Sequence, residues 1–272
     1  MSSGAPLLDV AGICHSFAVN NTPVPVINNL SCQVAEREFV SVVGPSGCGK
    51  STLLRIMAGL LRPSSGTVRV LGRAIEEPPR ELTYIFQQYT RALYPWLTVL
   101  ANVEFGLRYG WFRGTASAER RRRSEAMLRA MDLYDFRNSY PWQLSGGMQQ
   151  RVALARGLVC QPQMVLLDEP FSSVDAQTRA SLQDLTLTLW RDYKLTALLV
   201  THDIDEAVYL SSRVLVLSPR PTKVIASIEI DIPYPRTQIE TRSNPRFITL
   251  RNHIHGVLFG GRAPNIPAAA KA

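Results

Sequence analysis

Gly44-Pro45-Ser46-Gly47-Cys48-Gly49-Lys50-Ser51, with Thr52 behind it, matches the spacing G-x-x-x-x-G-K-[ST]. The five residues in front, Phe39-Val40-Ser41-Val42-Val43, are apolar and β-branched, the composition of a buried strand. Behind it, residues 52–58 have helix-forming composition and lead into Gly59. Strand, glycine turn and helix in that order make a phosphate cradle. The glycines let backbone N–H groups curl around phosphate oxygens, and the helix N-terminus adds its partial positive charge. Lys50 is then expected to reach the β- and γ-phosphates of a nucleotide, with the Ser51 hydroxyl on Mg²⁺. The plain alternative is a glycine turn with no ligand.

Two more runs have the same character. Met164-Val165-Leu166-Leu167 is wholly apolar and ends in Asp168-Glu169. A parallel sheet covered on both faces buries such strands, and ligands sit beyond their carboxyl ends. Asp168 is placed to hold Mg²⁺, and Glu169 to orient or deprotonate a water; two adjacent carboxylates also suit an ordinary turn. Leu198-Leu199-Val200-Thr201-His202 ends in a histidine, which the same topology brings to the sheet edge of Lys50 and Asp168. Asp203 and Glu206 then predict a helix start of capping-box type. Residues 214–217 supply a further strand. Strands alternating with helices specify an α/β fold with a mostly parallel sheet.

The bulk composition is that of a globular protein: 272 residues, 46% apolar and 19% charged. No apolar run approaches the roughly 20 residues that span a bilayer, so any channel is expected in another polypeptide. The first eight residues lack a basic region followed by a long apolar run, and no secretory signal is expected. Cys14, Cys32, Cys48 and Cys160 show no metal-ligand spacing and read as reduced, mostly packed thiols. The net charge of +8 suits either a solvated surface or an anionic partner. There is no internal repeat.

Leu144-Ser145-Gly146-Gly147-Met148 and the following Gln149-Gln150-Arg151 resemble the signature motif of the ABC (ATP-binding cassette) ATPase family, LSGGQ, with Met148 in place of glutamine. A serine and two glycines opening a helix form a second anion site, which leaves two phosphate ligands or two chains sharing one. The resemblance implies the second: Ser145, Gly146 and Gly147 meet nucleotide held by another copy in a head-to-tail dimer with C₂ symmetry. It also implies ATP as the nucleotide and a P-loop, RecA-like core with an N-terminal antiparallel β part and an inserted helical subdomain. Gln87 matches the Q-loop glutamine near Mg²⁺ and the attacking water, with Gln88 beside it as the other candidate. Asp168 and Glu169 match the Walker B aspartate and catalytic glutamate. Residues 172–175 resemble the D-loop, with Val174 where leucine is usual and Asp175 retained. His202 matches the switch histidine. Phe17 is the candidate for stacking on adenine, its alternative being a core aromatic.

The resemblance divides the chain into an ATPase core over 1–90 and 144–218, a helical subdomain over 91–143, a C-terminal extension over 219–260 and a flexible tail over 261–272. The subdomain would carry the groove for a permease coupling helix, with the surroundings of Trp96 forming either that docking surface or a small local core. The arginines at 120–123 fit a solvated helix face better than nucleic acid, since no aromatic residue interleaves them. Residues 224–232 predict a strand, and Asn244-Pro245 opens a short helix. His253 and His255 read as surface residues. The chain most resembles the ATPases of nitrate, sulfonate and taurine importers, through residues 44–52, 93–99, 144–151 and 214–221. That implies permease subunits and, indirectly, a solute-binding protein as partners, a small oxyanion as cargo, and a peripheral position on the cytoplasmic face of the membrane. The rival reading is an ABC ATPase acting on nucleic acid or the ribosome; those usually carry tandem cassettes, coiled coils or zinc-binding cysteines.

Overall fold

The computed structural model describes residues 5–87, 92–108 and 112–260; Gln88 and the tail at 261–272 lie outside these. The chain opens with a hairpin of β1 (Leu8–Val19) and β2 (Thr22–Val34). Asn20 and Asn21 join them at φ 49° and 63°, the left-handed conformation that two-residue hairpin turns require and asparagine tolerates. β4 (Ser65–Val70) pairs with β1 and β5 (Arg73–Ala74) with β4, giving an antiparallel sheet in the order β2-β1-β4-β5.

The second sheet holds β3 (Phe39–Val43), β6 (Leu82–Ile85), β7 (Met164–Asp168), β8 (Thr196–Val200), β9 (Arg213–Leu217) and β10 (Val224–Glu229), in the order β10-β9-β3-β8-β7-β6. All neighbours run parallel except β10, which is antiparallel to β9. Every residue of β3, β7 and β8 is buried, because alternate side chains serve two separate cores. Phe39, Val43, Val165, Leu167, Ala197, Leu199, Val214 and Val216 face one, packed with most of the helices. Val40, Val42, Met164, Leu166, Leu198, Val200, Leu215 and Leu217 face the other, under α1 (Lys50–Met57) and the antiparallel sheet. Each fully buried Val or Leu contributes about 1.5–3 kcal/mol, so the continuous apolar runs of the sequence follow from coverage on both faces. This is the expected α/β architecture, antiparallel N-terminal part included.

Between β6 and β7 the chain forms α2 (Val99–Arg108), α3 (Ser117–Ala130) and α4 (Gly146–Leu158). The arginine run lies on α3, and three of its four members are in ion pairs: Arg122 and Arg123 with Glu119 at 2.8 and 2.6 Å, and Arg121 with Glu125 at 2.9 Å. Hydrogen bonds from Arg122 and Arg123 hold the Glu119 carboxyl down at about 2. Arg121, Arg122 and Arg123 make a solvated helix face, as expected, whereas Arg120 turns inward and donates to the carbonyl of Thr115.

α5 (Ala176–Asp192) and α6 (Ile204–Leu210) follow β7 and β8. The Asp203 side chain caps α6 by accepting the Glu206 N–H at 3.1 Å. The box is only half made, however. The Asp203 N–H goes to Thr201 Oγ1, and Glu206 turns inward to accept from Gln183 at 3.0 Å. β10 stops at Glu229, three residues short of the strand expected over 224–232; the Ile230 N–H still reaches Ser212 O, but Pro233 and Pro235 have no N–H to continue a ladder. Arg236 buries its guanidinium against the carbonyls of Val208, Tyr209, Ser211 and Ile232 at 2.6–3.0 Å, tying this segment to the end of α6. α7 (Gln238–Ser243) and α8 (Pro245–Phe259) complete the described chain, with Asn244 capping α8, Pro245 at its first position, and His253 and His255 exposed on it. Among the described residues, no helix is long and apolar enough to cross a membrane.

Candidate functional site

The strand order β3-β8-β7-β6 sets four carboxyl ends side by side, and each delivers one of the sequence-identified groups. β3 runs into the loop at 44–49. Gly49 has φ 116°, and a Cβ there would lie 2.7 Å from Val26 Cγ1, so backbone conformation and space both demand glycine. Lys50, almost fully buried, folds back to donate to the carbonyls of Gly44 at 2.9 Å and Pro45 at 3.1 Å. Burial raises the Cys48 thiol above its ordinary range, against the lowering effect of Lys50, so Cys48 is a packed neutral side chain.

β7 ends on Asp168. Its carboxylate accepts from Ser51 Oγ at 2.9 Å and from the Tyr84 hydroxyl at 2.7 Å. Burial and the Asp168 charge both raise the Tyr84 phenol, which therefore stays a donor at any working pH. Tyr84 belongs to no motif; only its place on the strand beside β7 marks it. Glu169 stands in the left-handed region at φ 45°, uncommon for a non-glycine residue. Its N–H donates to Val200 O at 2.9 Å, and its carbonyl accepts from the N–H and hydroxyl of Ser172. Its side chain carries the decisive geometry: Gln87 Nε2 donates to Oε2 at 3.2 Å, and His202 Nδ1 lies 3.2 Å from the same oxygen. Strained backbone held by surrounding contacts is characteristic of functional positions.

Ser145 caps α4, accepting the Met148 N–H at 3.3 Å, and Asp175 caps α5, accepting the Thr178 N–H at 3.0 Å. The hydrogen bonds from Thr178 hold the Asp175 carboxyl below its ordinary range. The two helix starts are locked together: a Cβ on Gly147 would stand 2.4 Å from Thr178 Cγ2, and Arg151 donates to Ser181 at 3.0 Å. Among the described residues, no hydrogen bond joins residues 145–147 to the loop at 44–51. Phe17, 43% exposed, meets His15 edge-on at 4.7 Å between centroids, and is no core aromatic.

A groove of about 360 Å³ runs beside β6, lined in part by Tyr84, Phe86, Tyr94, Phe105 and Arg156. At its end Tyr94 packs on Phe105 and Trp96, and Trp96 remains 70% exposed. The residues around Trp96 thus form a small aromatic cluster that is also open to solvent.

A family model described as "ABC transporter" matches residues 27–172. An uncharacterized ABC transporter ATP-binding protein of Methanocaldococcus jannaschii is 44% identical over 92% of this chain and 91% of its own length. A taurine import ATP-binding protein of Yersinia pseudotuberculosis is 41% identical over 94% of this chain and 98% of its own. Among solved structures, a dimeric ATP-binding cassette in a post-hydrolysis state, bound to ADP and Pi, superposes with a TM-score of 0.72 at 30% identity, covering 83% of this chain and all of that one.

Proposed function

This chain belongs to the ABC transporter family as its ATP-hydrolysing cassette, and on that premise we propose that it powers an importer of a small oxyanion from a site shared between two copies. One observation carries the chemistry: Gln87 and His202 meet on a single carboxylate oxygen of Glu169, next to the Ser51–Asp168 pair. Residues 44–52 wrap the phosphates with backbone N–H groups, and Lys50 neutralises the β- and γ-phosphates. Glu169 takes the proton of the attacking water, Gln87 orients that water, and His202 senses the γ-phosphate. Phe17 offers a ring face to adenine.

Ser51, Asp168 and Gln87 would hold Mg²⁺. The hydroxyl and carboxylate are hard oxygen donors already 2.9 Å apart. Among the described residues no cluster of three acidic, histidine or cysteine side chains exists to cage a metal, which suits an ion that completes its shell with phosphate oxygens and water. Held by these residues, the ion would supply positive charge to offset that of the phosphates.

Ser145, Gly146 and Gly147 with Asp175 face the nucleotide of a second copy, a reading supported by the dimeric state of the similar cassette. The helical segment at 91–143, with the groove under Trp96, receives the permease, and a solute-binding protein acts through that permease. The assembly places this chain on the cytoplasmic face of the membrane. For the cargo, an alkanesulfonate or taurine, then nitrate, the support is the 41% identity to a taurine import ATP-binding protein. Nucleic acid is not the expected partner: three arginines of the run, Arg121, Arg122 and Arg123, already hold carboxylates on their own helix.

Glu169→Gln keeps the shape but cannot accept a proton. It should bind ATP, accumulate as a dimer and lose steady-state turnover; near-normal ATPase would overturn the assignment. The cargo is tested in the reconstituted complex. Binding protein loaded with sulfonate or nitrate should stimulate hydrolysis where one loaded with sugar does not, and the reverse would refute the oxyanion.

A further inference from the structure

Thr222 lies in the turn between β9 and β10, 171 positions after Ser51 and outside every motif quoted above. It is completely buried. Its N–H donates to Val26 O at 2.8 Å, and its carbonyl accepts from the Asn28 N–H at 3.1 Å, so its backbone is fixed to β2 on both sides. Its hydroxyl donates to the carbonyl of Cys48, inside the phosphate loop. The adjoining Gly49 is the position where a Cβ would meet Val26 Cγ1 at 2.7 Å and Thr222 Oγ1 at 3.6 Å. The back of the loop therefore rests on Val26 and Thr222 together.

A loop that cradles phosphate turns its N–H groups inward, so its carbonyls point the other way, into protein. A buried carbonyl needs a donor, and left without one its peptide is driven to rotate toward another. Rotation of the Cys48–Gly49 peptide would swing the Gly49 N–H off the phosphate side. We propose that Thr222 is a positioning residue for nucleotide binding, its hydroxyl fixing the Cys48 carbonyl outward so that the following N–H groups face the phosphates. The proposal rests on the reading of residues 44–51 as the phosphate loop.

The test compares Thr222→Val, which keeps the shape and removes the donor, with Thr222→Ser, which keeps the donor. Measured on the full chain, the dissociation constants of MgATP and MgADP and the ATP KM should rise about tenfold in Thr222→Val, the equivalent of about 1.4 kcal/mol. The turnover rate at saturating ATP should stay within twofold of the parent, because Glu169, Gln87 and His202 are untouched. Thr222→Ser should bind within twofold of the parent. A merely structural role would lower the melting temperature of Thr222→Val and leave the affinity of the folded fraction unchanged, which would overturn the proposal. Equal weakening in Thr222→Ser would also overturn it, since packing and not the hydroxyl would then matter. Should Thr222→Val fail to fold, Thr222→Cys, whose thiol is a poor donor, carries the same comparison against Thr222→Ser. Lys50→Ala separates the proposal from its premise: if that variant binds nucleotide normally, the phosphate-loop reading fails, and otherwise a null result at Thr222 counts against Thr222 alone.

Discussion

Replacing Gly147 with alanine tests whether the start of α4 and the start of α5 form one rigid unit. The new Cβ would lie 2.4 Å from Thr178 Cγ2, whereas carbon atoms pack best at about 3.5–4.0 Å. One side must retreat by about 1 Å, and overpacking of this kind costs about 1–3 kcal/mol. Thr178 cannot simply rotate aside, because its hydroxyl and N–H both bond to Asp175. Against that cost, alanine gains up to about 1 kcal/mol over glycine in a helix. The net expectation is a loss of about 1 kcal/mol, or a fall in melting temperature of about 2–4 °C for a chain of this size. Thr178→Ser removes Cγ2 and keeps the hydroxyl and N–H, so in that background Gly147→Ala should be neutral or stabilising. Urea denaturation of the four proteins gives the coupling energy, expected near 2 kcal/mol. An equal cost of Gly147→Ala in both backgrounds would refute the argument that these two atoms set the contact.

Mixing a Lys50→Ala subunit with a Ser145→Arg subunit puts both lesions on one composite site and leaves the other complete, so activity should partly return, which turnover by each chain alone would not produce. Glu206, raised by burial to about 7, stabilises the fold fully below its unfolded value near 4.5 and loses that contribution as pH rises through about 7. Glu206→Gln should therefore gain stability relative to the parent by up to about 3 kcal/mol between pH 5 and pH 8, read by urea denaturation at each pH; a pH-independent difference would contradict it. Tyr84→Phe removes a hydrogen bond to the buried Asp168 carboxylate and should cost about 2 kcal/mol of stability, with weaker MgATP binding by titration, while unchanged values would mean that Ser51 alone supports Asp168.

The groups legible in the sequence were those that a parallel sheet reduces to strand ends. Lys50, Asp168 and His202 each lie just beyond a largely apolar run, and the topology of such sheets gathers the carboxyl ends of all these runs at one edge. Their meeting was therefore readable from residues far apart in the chain, and Gln87 entered through resemblance. The contacts that finish the site obey no such rule. Tyr84 reaches Asp168 across 84 positions and Thr222 reaches Cys48 across 174; both depend on side-chain reach between packed layers, which local spacing does not encode. Glu206 shows the opposite failure. Its spacing from Asp203 predicted a local cap, but α6 is buried against α5, and Gln183 offered the carboxylate a partner within the interface. Motif residues and supporting residues thus divide the work by geometry. The motifs supply groups at a common edge, where a ligand bridges them, and the supporting residues lie behind that edge, satisfying the carbonyls and carboxylates that the ligand-facing geometry forces into the protein. Any loop that turns all its N–H groups toward an anion creates this second demand, so the residues that meet it are sought where the loop's back is buried and not where the motif continues.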